Sequence, residues 1–130
     1  MKIEEKLIEI AKNAVKNAHV PYLDFPVGAA VETETGELFS GCNIDNASTP
    51  LGICAERVAI FNAVLNGHKK IKRLAVTCPR NKGDKPENLM PCGACRQVMA
   101  EFMSPDAEII VDGVGIFKLK DLLPSPFTLK

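Results

Sequence analysis

Val27-Gly28-Ala29-Ala30-Val31, Thr35-Gly36 and Leu38-Phe39-Ser40-Gly41-Cys42-Asn43 set the class of fold. The first run is apolar and built of small side chains, so it reads as a buried strand that lets another backbone come close. Thr35-Gly36 is a turn and Leu38 to Asn43 the returning strand, which makes residues 27–43 an antiparallel hairpin with Asn43 at its end. Upstream, Ile3, Leu7, Ile10, Ala11, Ala14 and Val15 recur at helical spacing with Glu and Lys opposite, predicting an amphipathic helix from Ile3 to the neighbourhood of Ala18 that Pro21-Tyr22 stops. Downstream, after a polar loop, Ala55, Val58, Ala59, Asn62 and Ala63 share a helical face that Phe61, Val64 and Leu65 widen into an almost wholly buried helix, ended by Asn66-Gly67. Leu74 to Cys78 is a short apolar strand, followed by a charged loop to Met90 and a helix from Pro91 that buries Val98, Met99 and Phe102. Ile109-Ile110-Val111 and Val114 to Phe117 are further strands around an Asp112-Gly113 turn, and Pro124 and Pro126 mark an irregular tail. A hairpin followed by alternating helices and strands predicts the α/β class, as a three-layer α/β/α sandwich with a mixed sheet of about five strands.

The length of 130 residues suits one domain spanning 1–130, long enough to bury a core. Sixteen basic residues balance sixteen acidic ones, so no global field gathers phosphates. Tight sequence-independent binding to nucleic acid is therefore not expected, and a small neutral substrate fits better. No apolar stretch reaches bilayer length, and Met1-Lys2-Ile3-Glu4-Glu5-Lys6 lacks a signal-peptide core, which predicts a soluble, cytoplasmic protein with no membrane partner. Five scattered cysteines do not form a disulfide framework, so reduced thiols are expected.

Those thiols carry the chemistry. Cys54-Ala55-Glu56 and Pro91-Cys92-Gly93-Ala94-Cys95 offer three thiolates and one carboxylate. Zn²⁺ takes sulfur ligands tetrahedrally, and three protein ligands leave a fourth position for water, where a structural site closes with four. Glu56, two residues past the first thiolate, is placed to move protons beside the metal without ligating it. Cys54 is expected in the first turn of one helix, with Cys92 and Cys95 in the first turn of the next, where helix dipoles lower thiol pKa values. Residues three apart share a helical face, so Cys92 and Cys95 can grip one ion. Three thiolates leave the centre negatively charged. Arg57 and Arg96, each beside a site residue, are the candidates to draw charge off sulfur, with Arg57 the better placed; the ordinary fate of either is a surface ion pair. Taken alone, Cys92 to Cys95 reads more readily as a redox pair or half of a structural zinc knuckle than as part of a catalytic site. A closed site would need a fourth ligand from Cys42, Cys78, His19 or His68, none of which is paired in spacing. Cys42 and Cys78 fall in predicted strands, and both histidines lie near helix ends.

With Pro21-Tyr22 through Phe25, Val27 to Ala30, Gly41-Cys42-Asn43-Ile44-Asp45-Asn46, Cys54-Ala55-Glu56-Arg57 and Pro91 to Gln97 taken together, the chain resembles the small, homotetrameric, three-cysteine zinc class of cytidine deaminases over nearly its whole length. The resemblance implies hydrolytic deamination of cytidine or deoxycytidine in pyrimidine salvage. It implies zinc on Cys54, Cys92 and Cys95, and Glu56 moving a proton to N3 of the base and then to the departing amine. It also implies that Phe25 packs on the base, that Asn43 and Asp45 bond the sugar hydroxyls, and that the Ala55 backbone holds the pyrimidine edge. Arg57 would support the sulfurs, and Phe127 would reach a neighbouring subunit's site in a homotetramer. Asp45 stands where this family usually presents Glu, and Thr49 where Tyr is common, so sugar contacts are the part most altered in this chain. The rival readings are a deaminase of a modified aminonucleoside such as a blasticidin-type antibiotic, and a noncatalytic zinc-stabilised interaction domain. An RNA-editing enzyme would want a basic groove with stacking aromatics, and the chain has one Tyr and no Trp.

Overall fold

Two crossovers running in one direction set the layers. In the computed structural model, which describes residues 1–130, the strands β1 (Gly28–Thr33), β2 (Leu38–Cys42), β3 (Ile71–Thr77), β4 (Met103–Val111) and β5 (Gly115–Lys118) form one sheet ordered β2-β1-β3-β4-β5. β1 pairs antiparallel with both β2 and β3, β3 pairs parallel with β4, and β5 returns antiparallel. β2, β3 and β4 therefore point the same way. The helices α2 (Ala55–Leu65) and α3 (Gly93–Phe102) connect them in turn, and the right-handedness of parallel crossovers puts both on one face with their N-termini at the same end of the sheet. α1 (Ile3–Val15) covers the other face, completing the expected three layers.

Side-chain alternation divides the core accordingly. Ala30, Ala75 and Ile110 meet Leu7 and Ala11 of α1, whereas Ala29, Val31, Leu74, Val76, Ile109 and Val111 meet Ala55, Ala59, Ile60, Ala63 and Met99. Glycine permits the closest approaches. A Cβ on Gly28 would lie 2.0 Å from the Ala11 carbonyl oxygen, and one on Gly41 would lie 2.4 Å from the Ala59 nitrogen. The small residues of the hairpin thus seat α1 on one face and α2 on the other.

α2 ends as Asn66-Gly67 predicts: Gly67 has φ +92°, His68 N–H donates to the Ala63 carbonyl and Gly67 N–H to the Val64 carbonyl, the paired bonds of a Schellman cap. Elsewhere the structure departs from expectation. α1 stops at Val15, short of Ala18, the chain continuing in a turn at Lys16 and Asn17. β3 starts at Ile71, inside a run that reads as charged, because Arg73 bridges Glu32 of β1 and Glu108 of β4 across three strands. It ends at Thr77, so Cys78 lies beyond the strand. β4 starts at Met103, opposite Ile71, before the register jumps to Glu108 opposite Arg73. α2 is not almost wholly buried: its apolar residues outnumber the positions facing the sheet, leaving Phe61 and Leu65 at 44% and 86% exposure. The tail opens with a short helix, α4 (Leu119–Leu122), that seats Leu119 in the core. No helix is long and apolar enough to cross a membrane.

Candidate active site

The shared end of α2 and α3 is where the chemistry collects. Cys54 and Cys92 are the N-cap residues of these helices, one position earlier than the first turn expected of them, and Cys95 lies in the first turn of α3. An N-cap residue keeps extended backbone, so its side chain projects beyond the helix end, into the positive end of the dipole. Cys54 Sγ lies 3.7 Å from Cys92 Sγ, Cys92 Sγ lies 3.5 Å from Cys95 Sγ, and all three sulfurs fall within 4.8 Å of one another. A tetrahedral zinc ion with Zn–S bonds of about 2.3 Å holds its sulfurs roughly 3.8 Å apart, so this set fits Zn²⁺ without rearrangement. Cys42, Cys78, His19 and His68 stand outside the cluster. His68 instead pairs with Glu37, and the site keeps three protein ligands.

The thiols are electrostatically prepared. Cys54 is drawn down to about 5, chiefly because its sulfur accepts a hydrogen bond from Cys95, with Arg57 adding a further donor against the cost of burial. Cys95 is pushed up by the same shared proton and by burial, which is the proton a metal ion would displace. Arg57 Nη2 donates to Cys54 Sγ at 3.4 Å, as its position beside Glu56 suggests. Arg96 does not approach sulfur. Its Nε donates to the Pro91 carbonyl at 2.8 Å and Nη1 to the Leu122 carbonyl at 2.9 Å, so two backbone acceptors take its donors and tie α3 to α4.

Glu56 is 4% exposed and sits on the wall of a cavity of about 330 Å³, next to Cys54 and Cys92. Burial is the main force raising its pKa to about 7, reinforced by the Cys54 thiolate and opposed by its own backbone amide and by Arg57. A dication on the sulfurs would favour the carboxylate form again. Phe25, Asn43, Asp45, Thr49 and Ala55 line the same cavity. Asn43 is clamped, its Oδ1 accepting from Val27 N–H at 2.8 Å and its Nδ2 donating to the Phe25 carbonyl at 2.7 Å. Asp45 Oδ2 accepts from Leu23 N–H at 3.1 Å and Tyr22 N–H at 3.4 Å, so the short acid is fixed by backbone and its Oδ1 is unengaged. Phe127 lies apart on the surface, 70% exposed, with its backbone held on both sides by Gln97.

Sequence reasoning missed the wall formed by Val76, Cys78, Asn88, Leu89 and Met90. The charged run before Met90 disguises it, and a buried Leu89 is the sole apolar hint inside that loop. Asp45 and Glu56 are the charged lining groups, and both are acids.

Residues 1–111 match the family described as the cytidine and deoxycytidylate deaminase zinc-binding region. A cytidine deaminase of Sporosarcina psychrophila is 49% identical over 98 residues, covering 75% of this chain and 68% of that protein. One from Halalkalibacterium halodurans is 38% identical over 128 residues, covering 95% and 93%. The crystal structure of cytidine deaminase from Burkholderia pseudomallei superposes with a TM-score of 0.87 at 41% identity, covering 98% of this chain and all of that one.

Proposed function

The chain belongs to the cytidine and deoxycytidylate deaminase family, and from that premise we propose that residues 1–130 act as one catalytic domain that hydrolyses cytidine to uridine and ammonia, with Glu56 as its proton carrier. The carrying observation is a buried glutamate sharing one cavity wall with the three-sulfur site. Cys54, Cys92 and Cys95 would hold the zinc ion, which would supply the Lewis acidity that makes water a nucleophile near neutral pH. Glu56 takes one proton from the attacking water and delivers it to N3 of the base, then takes the second from the hydroxyl newly formed on C4 and delivers it to the departing amine, so that the C4–N bond breaks as the C4 carbonyl forms and ammonia leaves. Burial matters here because it keeps the carried proton from exchanging with bulk water between the two transfers.

Phe25 packs on the base and the Ala55 backbone holds the pyrimidine edge. The unengaged Asp45 Oδ1 accepts a sugar hydroxyl, and Asn43, anchored through Phe25 and Val27, presents its remaining donor to the sugar. Because the lining charges are both negative, a phosphorylated substrate is repelled and a neutral nucleoside is preferred. Arg57 holds charge off Cys54. The chain works in the cytoplasm, where its free thiols stay reduced, and assembles as a homotetramer in which Phe127 completes a neighbour's site. The exposed Phe61, Leu65 and Phe127 offer apolar surface that contacts between subunits would cover.

The test replaces Glu56 by Gln. About one zinc per chain and the native assembly should be retained while cytidine turnover falls by several orders of magnitude, since both proton transfers lose their carrier. Near-wild-type turnover would refute the assignment. Including deoxycytidine, cytidylate and an aminonucleoside antibiotic in the wild-type assay ranks the substrates.

A further inference from the structure

Two loops that wall the cavity, 20–25 and 79–90, lie far apart in sequence and are joined by one ion pair. Asp24 is the sole non-glycine residue with a left-handed backbone, φ +49°, a conformation that Asp tolerates better than most side chains. Its N–H closes the turn on the Val20 carbonyl at 3.0 Å. Its carboxylate accepts two parallel bonds from Arg80, Nη1 to Oδ1 at 2.9 Å and Nη2 to Oδ2 at 3.0 Å, the fork geometry that fixes orientation as well as distance. Asp24 stands between the cavity residues Leu23 and Phe25, and Arg80 stands two residues beyond Cys78 at the start of the loop that brings in Leu89 and Met90. From the cavity side, Asp45 tethers the same turn through the Tyr22 and Leu23 amides. The turn is thus gripped from within the pocket and from outside it.

We propose that the Asp24–Arg80 pair is a latch across the pocket mouth, a positioning pair that holds the 20–25 turn, and Phe25 with it, against the 79–90 loop in the geometry that binds nucleoside. This rests on the deaminase reading of the pocket. Holding a backbone in the left-handed region has a cost, and strain of this kind persists where neighbouring contacts impose it. Arg80 keeps the Asp24 carboxyl below the usual carboxylate range, so the latch is charged at neutral pH. Both side chains are more than half exposed, at 59% and 71%, which limits the effect and makes it salt-sensitive.

Asp24→Gly keeps the left-handed backbone and removes the carboxylate, Arg80→Gln removes the other half, and the double variant closes a cycle. Each single variant should raise KM for cytidine roughly two- to fivefold with kcat within about twofold, and the double should be no worse than either single. Amide exchange at Tyr22 and Leu23 should quicken in all three variants, and about 0.5 M salt should move the wild-type KM toward theirs. Unchanged KM, strictly additive effects, or a fall in kcat alone would overturn the latch. A wild-type protein that does not turn over cytidine would refute the deaminase reading instead. The exchange measurement still decides the latch in that case, and unchanged exchange overturns it.

Discussion

Replacing Gly41 by Ala tests how α2 is aimed at the site. The new Cβ would lie 2.4 Å from the Ala59 nitrogen, 2.8 Å from the Ala55 carbonyl oxygen and 2.9 Å from the Val58 carbonyl carbon. All three obstacles are backbone, so no side chain can swing away, and α2 must retreat by about 1 Å to restore ordinary contact. Overpacking of this kind costs roughly 1–3 kcal/mol, and the rigidity of the obstacles puts this case near the upper end. For a chain of 130 residues that corresponds to a Tm lower by about 8–12 °C. The retreat also carries Cys54 and Glu56, at the start of the same helix, away from Cys92 and the cavity. A misplacement of about 1 Å costs on the order of 100-fold in rate. Urea unfolding, zinc content and the ultraviolet loss of cytidine absorbance measure the three consequences. Gly36→Ala is the control. It meets open space in the hairpin turn, where φ is +88°, and should cost about 1 kcal/mol without altering turnover. A Gly41→Ala protein as stable and active as wild type would refute the seating of α2 on β2.

Asp45→Ala removes the acceptor for the Tyr22 and Leu23 amides together with the oxygen offered to the sugar, and should raise KM for cytidine by about tenfold with a smaller fall in kcat, as steady-state kinetics would show. Arg73→Met unties Glu32 and Glu108 at the end of the sheet remote from the cysteines. It leaves Glu32, 13% exposed, without its partner, so denaturant unfolding should show a loss of about 1–2 kcal/mol while kcat/KM stays within about twofold of wild type.

Much of this architecture could be read from residue order because the informative signals were local. The hairpin followed from small residues around Thr35-Gly36, and the end of α2 followed from Asn66-Gly67, whose cap depends on a few adjacent backbone bonds. Cys54, Cys92 and Cys95 were recognisable by spacing, and the crossover topology explains why two helix ends meet. What escaped was set by contacts distant in sequence. Arg96 differs from Arg57 through the carbonyl of Leu122, a partner 26 residues away. β3 extends through Lys72 and Arg73 because acids on two other strands receive Arg73. The 79–90 loop forms a pocket wall through Leu89 and a tie to Asp24, neither of which leaves a periodic pattern.

X-ray absorption at the zinc edge of the purified protein is the sharpest test of an open three-sulfur site. One zinc per chain is expected, with three sulfur neighbours at about 2.3 Å and a single lighter atom in the fourth position. A shell saturated by four protein ligands, or a protein that binds no zinc, would contradict that arrangement.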